Sequence, residues 1–222
     1  MVIELYQYFQ FAALLVSIFC YKSLKSYAVA LFISYLVLVC VTETVANYVY
    51  YVLHWDDNAA VYNIYLVTSP FLFFILLKKM LNPLGMEAKL FYILYALVIC
   101  FIVLNYFFIQ GAKEFNSYSI VLISFISIII SCLILMKLSR IESRDVIILK
   151  EPFFWISAGH LLFFTATLVT LGLRLYILTN NIEVNNISIY RYIMPFANVI
   201  LYASYTGSFI LCKINLTRQE MN

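Results

Sequence analysis

The sequence predicts an all-α, polytopic membrane protein, a single domain that forms a bundle of seven transmembrane helices. Hydrophobic residues make up 65% of the 222 residues and charged residues only 11%, whereas about a quarter of a typical soluble domain is charged. The apolar residues fall into seven runs, each close to the roughly 20 residues that a helix needs to cross a bilayer. Lysine and arginine collect in alternate connections between these runs, a pattern that sets the orientation of membrane proteins.

The seven runs are separated by charged or turn-forming segments. They cover approximately residues 5–21, 27–53, 59–77, 90–109, 119–136, 153–177 and 189–212. Glu4 precedes the first run, while Lys22 and Lys25 follow it. The first run therefore lacks the positively charged start of a cleavable signal peptide, and we expect all seven helices in the mature protein.

The distribution of positive charge predicts the orientation of the bundle. Of the 14 lysines and arginines, only Lys113, Arg174 and Arg191 fall on one side, and the other eleven fall on the opposite side. Because cytoplasmic loops carry the excess of these residues, we expect the N-terminus outside and the C-terminus in the cytoplasm. The protein is then a multi-pass protein of the inner (plasma) membrane, with the lipid bilayer as its main partner.

Polar side chains inside the predicted helices mark candidate functional positions, because a charged group costs roughly 2.5–3.5 kcal/mol to insert into a membrane. Glu43 and Asn47 lie four residues apart on one face of the second helix. Six such residues fall in the outer half of the bilayer: Glu43, Asn47, Asn63, Arg174, Arg191 and Asn198. They predict a ligand-binding pocket that opens to the outside. A structural ion pair of Glu43 with Arg174 or Arg191 is the alternative interpretation.

Two other polar residues lie in the predicted sixth and seventh helices. His160 falls in the inner half of the sixth helix, and Tyr202 shares a face of the seventh helix with Asn198. A single intramembrane histidine favours a helix–helix hydrogen bond, and proton sensing or catalysis is the alternative. Pro70 and Pro195 each remove a backbone donor, so we expect kinks there.

Several kinds of chemistry have no signature in the sequence. The two histidines are expected at different depths and the five cysteines are scattered singly, so no metal cluster or disulfide framework is predicted. The predicted last helix has no lysine for a retinal Schiff base. Glycine-rich phosphate loops and the G-x-S-x-G hydrolase motif are also missing. We expect no metal, no cofactor and no nucleic-acid partner.

Two short segments carry a resemblance to known sequences. Residues 62–65 read Tyr-Asn-Ile-Tyr and follow the helix that contains Glu43, and residues 151–159 read Glu-Pro-Phe-Phe-Trp-Ile-Ser-Ala-Gly. In these segments the chain resembles uncharacterised seven-helix integral membrane proteins of Bacteroidota. The resemblance implies the architecture and a sensory association with cytoplasmic partners, but no established reaction.

These observations lead to one functional hypothesis and two alternatives. We expect a receptor-like or sensory membrane protein in which a small polar or amphiphilic ligand enters the outer pocket. The signal would leave through residues 137–152, a possible docking surface for a cytoplasmic protein partner, with Pro70 and Pro195 as pivots. One alternative is an integral membrane enzyme that acts on lipid, with Glu43 and His160 as acid–base groups. The other is a small transporter or channel subunit.

Overall fold

The structure is a computed structural model. It describes residues 4–55, 58–81, 88–111, 114–140, 148–173, 176, 179–180, 183–184, 187–188 and 190–221, with the side chains of 88–90, 183–184, 187–188 and 190–191 excepted. Within these residues the fold is all-α. We number its helices α1 (Leu5–Phe19), α2 (Tyr21–Ser26), α3 (Leu31–Tyr51), α4 (Ala59–Leu81), α5 (Ala88–Leu104), α6 (Ser117–Ser139), α7 (Pro152–Gly172) and α8 (Tyr190–Met221).

Four short elements lie between the long helices. A π-helical turn, Asn105–Ile109, continues α5, and a 3-10 turn, Ile148–Lys150, precedes α7. Between α7 and α8 the strands β1 (Glu183–Val184) and β2 (Ile187–Ser188) pair antiparallel. Gly111 follows the π-helical turn with a φ of +82°, a left-handed conformation that glycine adopts without steric cost.

Six helices of the described chain are long and apolar enough to cross a membrane, namely α3 to α8. The first helix, α1, is apolar but shorter, with 15 residues. Because lipid offers no hydrogen bonds to an open backbone, helices of this kind satisfy their own peptide groups in a bilayer. The protein is therefore a multi-pass helical membrane protein, as the composition predicts.

The helices form a closed ring rather than a row. Around the ring α1 packs against α3, α3 against α4, α4 against α5 and α6, α6 against α7, α7 against α8, and α8 against α1. Aromatic side chains fill the centre, where the Phe32 ring lies 5.1 Å from the Tyr205 ring and 5.5 Å from the Phe209 ring. The ring brings α1, α3, α4, α7 and α8 around one interior.

One end of the bundle carries most of the described basic residues. There the Lys22 ammonium lies 3.2 Å from the Glu220 carboxylate, and the Asn215 side-chain amide donates a hydrogen bond to the Lys150 carbonyl at 3.0 Å. These two contacts join α2 and the 3-10 turn to the C-terminal part of α8. We call this end the basic end.

The observed helices differ from the predicted runs mainly at their ends. α3 begins at Leu31 instead of residue 27, α7 ends at Gly172 instead of residue 177, and α8 continues to Met221 instead of residue 212. At 32 residues α8 is about 48 Å long by the 1.5 Å rise per residue, longer than the roughly 30 Å hydrocarbon core. It therefore carries polar residues beyond the apolar zone.

Candidate functional site

The first helix, α1, buries a mainly polar face inside the bundle. Its buried residues are Gln7, Gln10, Ala13 and Ser17, at helical spacings of three and four. Large apolar residues of the same helix are exposed, among them Leu5 at 68% and Phe19 at 80%. A helix in water shows the opposite arrangement. α1 thus presents an apolar face to the outside and a polar face to α3 and α8.

Glu43 is the central residue of the polar interior. The Tyr6 hydroxyl donates a hydrogen bond to Oε2 of Glu43 at 2.9 Å, and the Tyr62 hydroxyl donates to the same oxygen at 3.2 Å. Tyr6 comes from α1, Glu43 from α3 and Tyr62 from α4, so one carboxylate joins three helices. Glu43 lies about 18 Å along α3 from Leu31, near the middle of this roughly 30 Å helix.

A second polar residue, Gln10, lies one helical turn from Tyr6 on α1. Gln10 is 1% exposed, and neither its Nε2 nor its Oε1 has a hydrogen-bond partner among the described residues. Its amide lies beside the Cys40 thiol, and sulfur is only a weak partner. Since Cys40 precedes Glu43 by one turn on α3, Gln10 and Glu43 face the same interior. We call Tyr6, Gln10, Glu43 and Tyr62 the Glu43 site.

Further tyrosines continue from the Glu43 site towards the centre of the ring. The Tyr35 and Tyr65 hydroxyls lie 3.4 Å apart and join α3 to α4. Tyr202 of α8 is buried and lies near Tyr65 and Glu43. Its ring lies 6.1 Å from that of Tyr205. These tyrosines lie between the Glu43 site and the interface of α7 and α8.

His160 makes the helix–helix hydrogen bond that the sequence favours for it. Its Nε2 lies 2.6 Å from the Tyr205 hydroxyl, which joins α7 to α8. Phe73 and Phe164 rings lie 5.1 Å and 5.8 Å from the imidazole, while Nδ1 has no partner among the described residues. The described contacts of His160, with Tyr205, Phe73 and Phe164, have no member in common with the hydrogen bonds of Glu43.

Gly159 lets α7 and α8 approach closely beside His160. A Cβ added to Gly159 would lie 2.7 Å from Cβ of Ser204 and 2.9 Å from its Oγ, closer than carbon atoms pack without a shift of the backbone. We call Gly159, His160, Ser204 and Tyr205 the α7–α8 seam. Small residues at such interfaces let membrane helices come into contact.

Asn63 contacts the α5–α6 connection. Its Nδ2 donates to the Glu114 carbonyl at 2.9 Å, and its Oδ1 accepts from the Asn116 backbone N–H at 3.0 Å. The buried Asn105 amide donates to Oδ1 of Asn116 and, at 2.8 Å, to Oε1 of Gln110. Asn63 thus holds the turn between two helices, although its neighbour Tyr62 belongs to the Glu43 site.

The other predicted pocket residues have different positions. Asn47 is half-buried one turn from Glu43 on α3. Asn198 is half-buried and donates to the Met194 carbonyl in its own helix at 3.0 Å. Arg174 and the Arg191 side chain lie outside the described residues, so the predicted pairing of either with Glu43 stays a prediction.

The sequence analysis did not identify Tyr6 and Gln10 of the Glu43 site, or the neighbouring residues Tyr35 and Tyr65. All four lie in apolar runs, and tyrosine is common at membrane interfaces for other reasons. A signal was present for Gln10, because Gln7, Gln10 and Ser17 repeat at helical spacing within the first run. Pairing Tyr6 with Glu43, 37 residues away, requires the folded arrangement.

The chain was compared with models of protein families, with curated proteins and with solved structures. None of the three comparisons finds a match. The resemblance to seven-helix proteins of Bacteroidota therefore stays a prediction.

Proposed function

We propose that this protein is a receptor-like, sensory membrane protein that binds a small polar or amphiphilic ligand at the Glu43 site and signals at its basic end. The proposal rests on the carboxylate of Glu43 on α3. It accepts hydrogen bonds from Tyr6 of α1 and Tyr62 of α4 and so links three helices. A ligand that takes over any of these hydrogen bonds changes the balance among α1, α3 and α4. Such differential contacts are what a ligand needs to shift a conformational equilibrium.

We propose a bundle of seven spans, with α1 as the first. The Cys20 N–H donates to the Val16 carbonyl at 2.9 Å, and the Leu24 N–H donates to the Cys20 carbonyl at 2.9 Å, so α1 and α2 form a nearly continuous helix. Residues 5–26 then extend about 33 Å by the 1.5 Å rise per residue, enough for a bilayer core. The apolar exposed face and polar buried face of α1 support this assignment.

The same arrangement supports an orientation. We propose that the basic end lies in the cytoplasm of a cell with a plasma (inner) membrane, because lysine and arginine concentrate on the cytoplasmic side. The N-terminus is then outside. Single cysteines at Asn58 and Ser139, in a background without the five native cysteines, test this with a membrane-impermeant maleimide. We expect labelling from opposite sides, and labelling of both from one side contradicts the topology.

The basic end also offers a surface for a cytoplasmic partner. The turn Ile148–Lys150 exposes Leu149 at 55% beside the half-exposed Trp155, whose indole N–H donates to the Leu149 carbonyl at 2.9 Å. Lys137 and Arg140 lie close by in sequence, at the end of α6. The remainder of the predicted docking loop, residues 141–147, lies outside the described residues.

The decisive test is whether a change at the Glu43 site alters the structure of the basic end. Spin labels at Ser139 and Thr217 report the distance between α6 and α8 at the basic end. We expect Tyr6→Phe and Glu43→Gln to shift this distance distribution, while Tyr8→Phe, at an exposed position of the same helix, leaves it unchanged. If Tyr6→Phe, Glu43→Gln and Tyr8→Phe all give the wild-type distribution, the receptor proposal is wrong.

A further inference from the structure

Glu43 is a carboxylate without a positive partner in the part of the chain that the structure describes. Its hydrogen bonds come from two neutral tyrosine hydroxyls, and the salt bridge that the structure shows is between Lys22 and Glu220. A charge inside a membrane normally pairs with an opposite charge or with a ligand. Both hydrogen bonds end on Oε2, and the described residues donate none to the other carboxylate oxygen.

Gln10 adds a second acceptor beside this carboxylate. A buried amide without partners is destabilising, and among the described residues the Gln10 amide has only the weakly bonding Cys40 thiol beside it. Residues one turn apart on a helix have Cβ atoms about 5–6 Å apart. This spacing places Gln10 next to Tyr6 on α1. The Cys40 thiol, which lies beside the Gln10 amide, is likewise next to Glu43 on α3.

Aromatic rings complete the surroundings of these two acceptors. The Tyr6 and Tyr62 hydroxyls bind Glu43 directly, and the buried residues Tyr65 and Tyr202 lie nearby. The negative faces of aromatic rings attract cations, most strongly where water is excluded. A carboxylate, a buried amide and several tyrosines together form a site for a cation and repel an anion.

We propose that the Glu43 site binds the primary ammonium group of a small organic amine. An ammonium group has three N–H donors and no acceptor. One donor binds the free oxygen of Glu43, one binds Oε1 of Gln10, and the third reaches a tyrosine hydroxyl or ring. This ligand class rests on the proposed receptor function and narrows it. The amine is either free in solution or part of a lipid headgroup.

The test uses the full chain in nanodiscs of phosphatidylglycerol. Ethanolamine at neutral pH is the probe, and ethylene glycol is its neutral counterpart of similar size. We expect ethanolamine to bind by calorimetry and to raise the melting temperature, and ethylene glycol to do neither. Tetramethylammonium, which has no N–H donor, should bind at least about tenfold more weakly, as the loss of charge-assisted hydrogen bonds implies.

Three variants test whether ethanolamine binds at the Glu43 site. Glu43→Gln should weaken ethanolamine binding about tenfold or more, and Gln10→Leu several-fold, since each removes one acceptor. Glu114→Gln changes an exposed carboxylate in the α5–α6 connection and should bind as the wild type does. Gln10→Leu places an apolar side chain in a buried position, so it keeps the test valid if Glu43→Gln fails to fold.

Each outcome decides the proposal. No binding of ethanolamine, equal binding of ethylene glycol or tetramethylammonium, or equal binding by all three variants overturns it. Replacing phosphatidylglycerol by phosphatidylethanolamine separates the two sources of the amine. Glu43-dependent stabilisation by that lipid identifies a headgroup, and stabilisation only by added ethanolamine identifies a free amine. The spin-label experiment needs no ligand, so failure of amine binding is distinguishable from failure of the receptor function.

Discussion

The Glu43 site and the α7–α8 seam both join helices, but they do so by opposite means. At the seam, Gly159 brings the backbone of α7 against Ser204, and a short hydrogen bond links His160 to Tyr205. At the Glu43 site, three helices meet through long side chains, and Gln10 stays unsatisfied. Close packing permits few alternative arrangements, whereas polar side chains with partners to exchange permit several. We therefore expect the seam to be the more rigid of the two regions.

The largest loss of stability is expected for a substitution in the α7–α8 seam. Gly159→Ala should destabilise the protein by about 2–3 kcal/mol, because the new methyl group overlaps Ser204 and forces α7 and α8 apart. The measurement is unfolding by SDS titration in bicelles. Gly207→Ala is the matched control, since a Cβ there meets no atom within 4 Å. It should be neutral or slightly stabilising, as alanine favours a helix over glycine.

The double variant Gly159→Ala with Ser204→Gly sharpens this result. Removing the Ser204 side chain takes away both atoms that the new methyl group would meet first, so most of the lost stability should return. If the double variant is as unstable as Gly159→Ala, the cost does not come from this contact, and the seam is not the rigid interface described above.

The next largest loss of stability is expected at the Glu43 site. Tyr6→Phe should cost about 1–2 kcal/mol, because it removes a hydrogen bond to a carboxylate and keeps the ring. Tyr8→Phe, exposed on the same helix, should cost almost nothing. In the Glu43→Gln background the effect of Tyr6→Phe should shrink, which a double-mutant cycle measures. Equal costs in both backgrounds contradict a bond to a charged Glu43.

A smaller effect tests whether the hydrogen bond or the close packing holds the seam. Tyr205→Phe leaves His160 without its hydrogen-bond partner, but hydrogen bonds between membrane helices average about 0.6 kcal/mol and reach about 1.7 kcal/mol. We expect a loss of about 1 kcal/mol, below that of Gly159→Ala, with Tyr118→Phe at an exposed position of α6 as the control. A loss larger than that of Gly159→Ala would make the hydrogen bond the main element of the seam.

The two regions were not equally predictable from the sequence. The multi-pass architecture follows from apolar runs, and the start of α4 at Ala59 coincides with the predicted start of the third run. Residue 212 as the end of the last run is wrong for the helix, which continues to Met221 because charged residues end an apolar run without ending a helix. Lys22 and Lys25 likewise lie within α2.

Site residues were harder to predict because their partners are distant in sequence. Glu43 stands out as a charge in an apolar run, and a histidine such as His160 is also conspicuous. Tyr6 and Tyr62 do not, since aromatic residues are abundant in this chain and only the fold brings these two to Glu43. The partners of Asn63 could not be predicted from its depth either, because its amide binds the α5–α6 connection.

The smallest effect is expected where a polar contact is exposed. Lys22 and Glu220 form an ion pair at 3.2 Å, but their side chains are 84% and 55% exposed. Water and salt screen such a pair, and ordering two long side chains opposes it. Lys22→Met, Glu220→Gln and the double variant should each change the free energy of unfolding by less than about 0.5 kcal/mol, with no measurable coupling. The Tyr6–Glu43 cycle should show coupling under the same conditions, because that bond lies inside the bundle.

Coupling above about 1 kcal/mol between Lys22 and Glu220 would mean that the C-terminal part of α8 is held rigidly at the basic end. A signal from the Glu43 site would then have to reach a partner through the turn Ile148–Lys150 instead of through movement of α8.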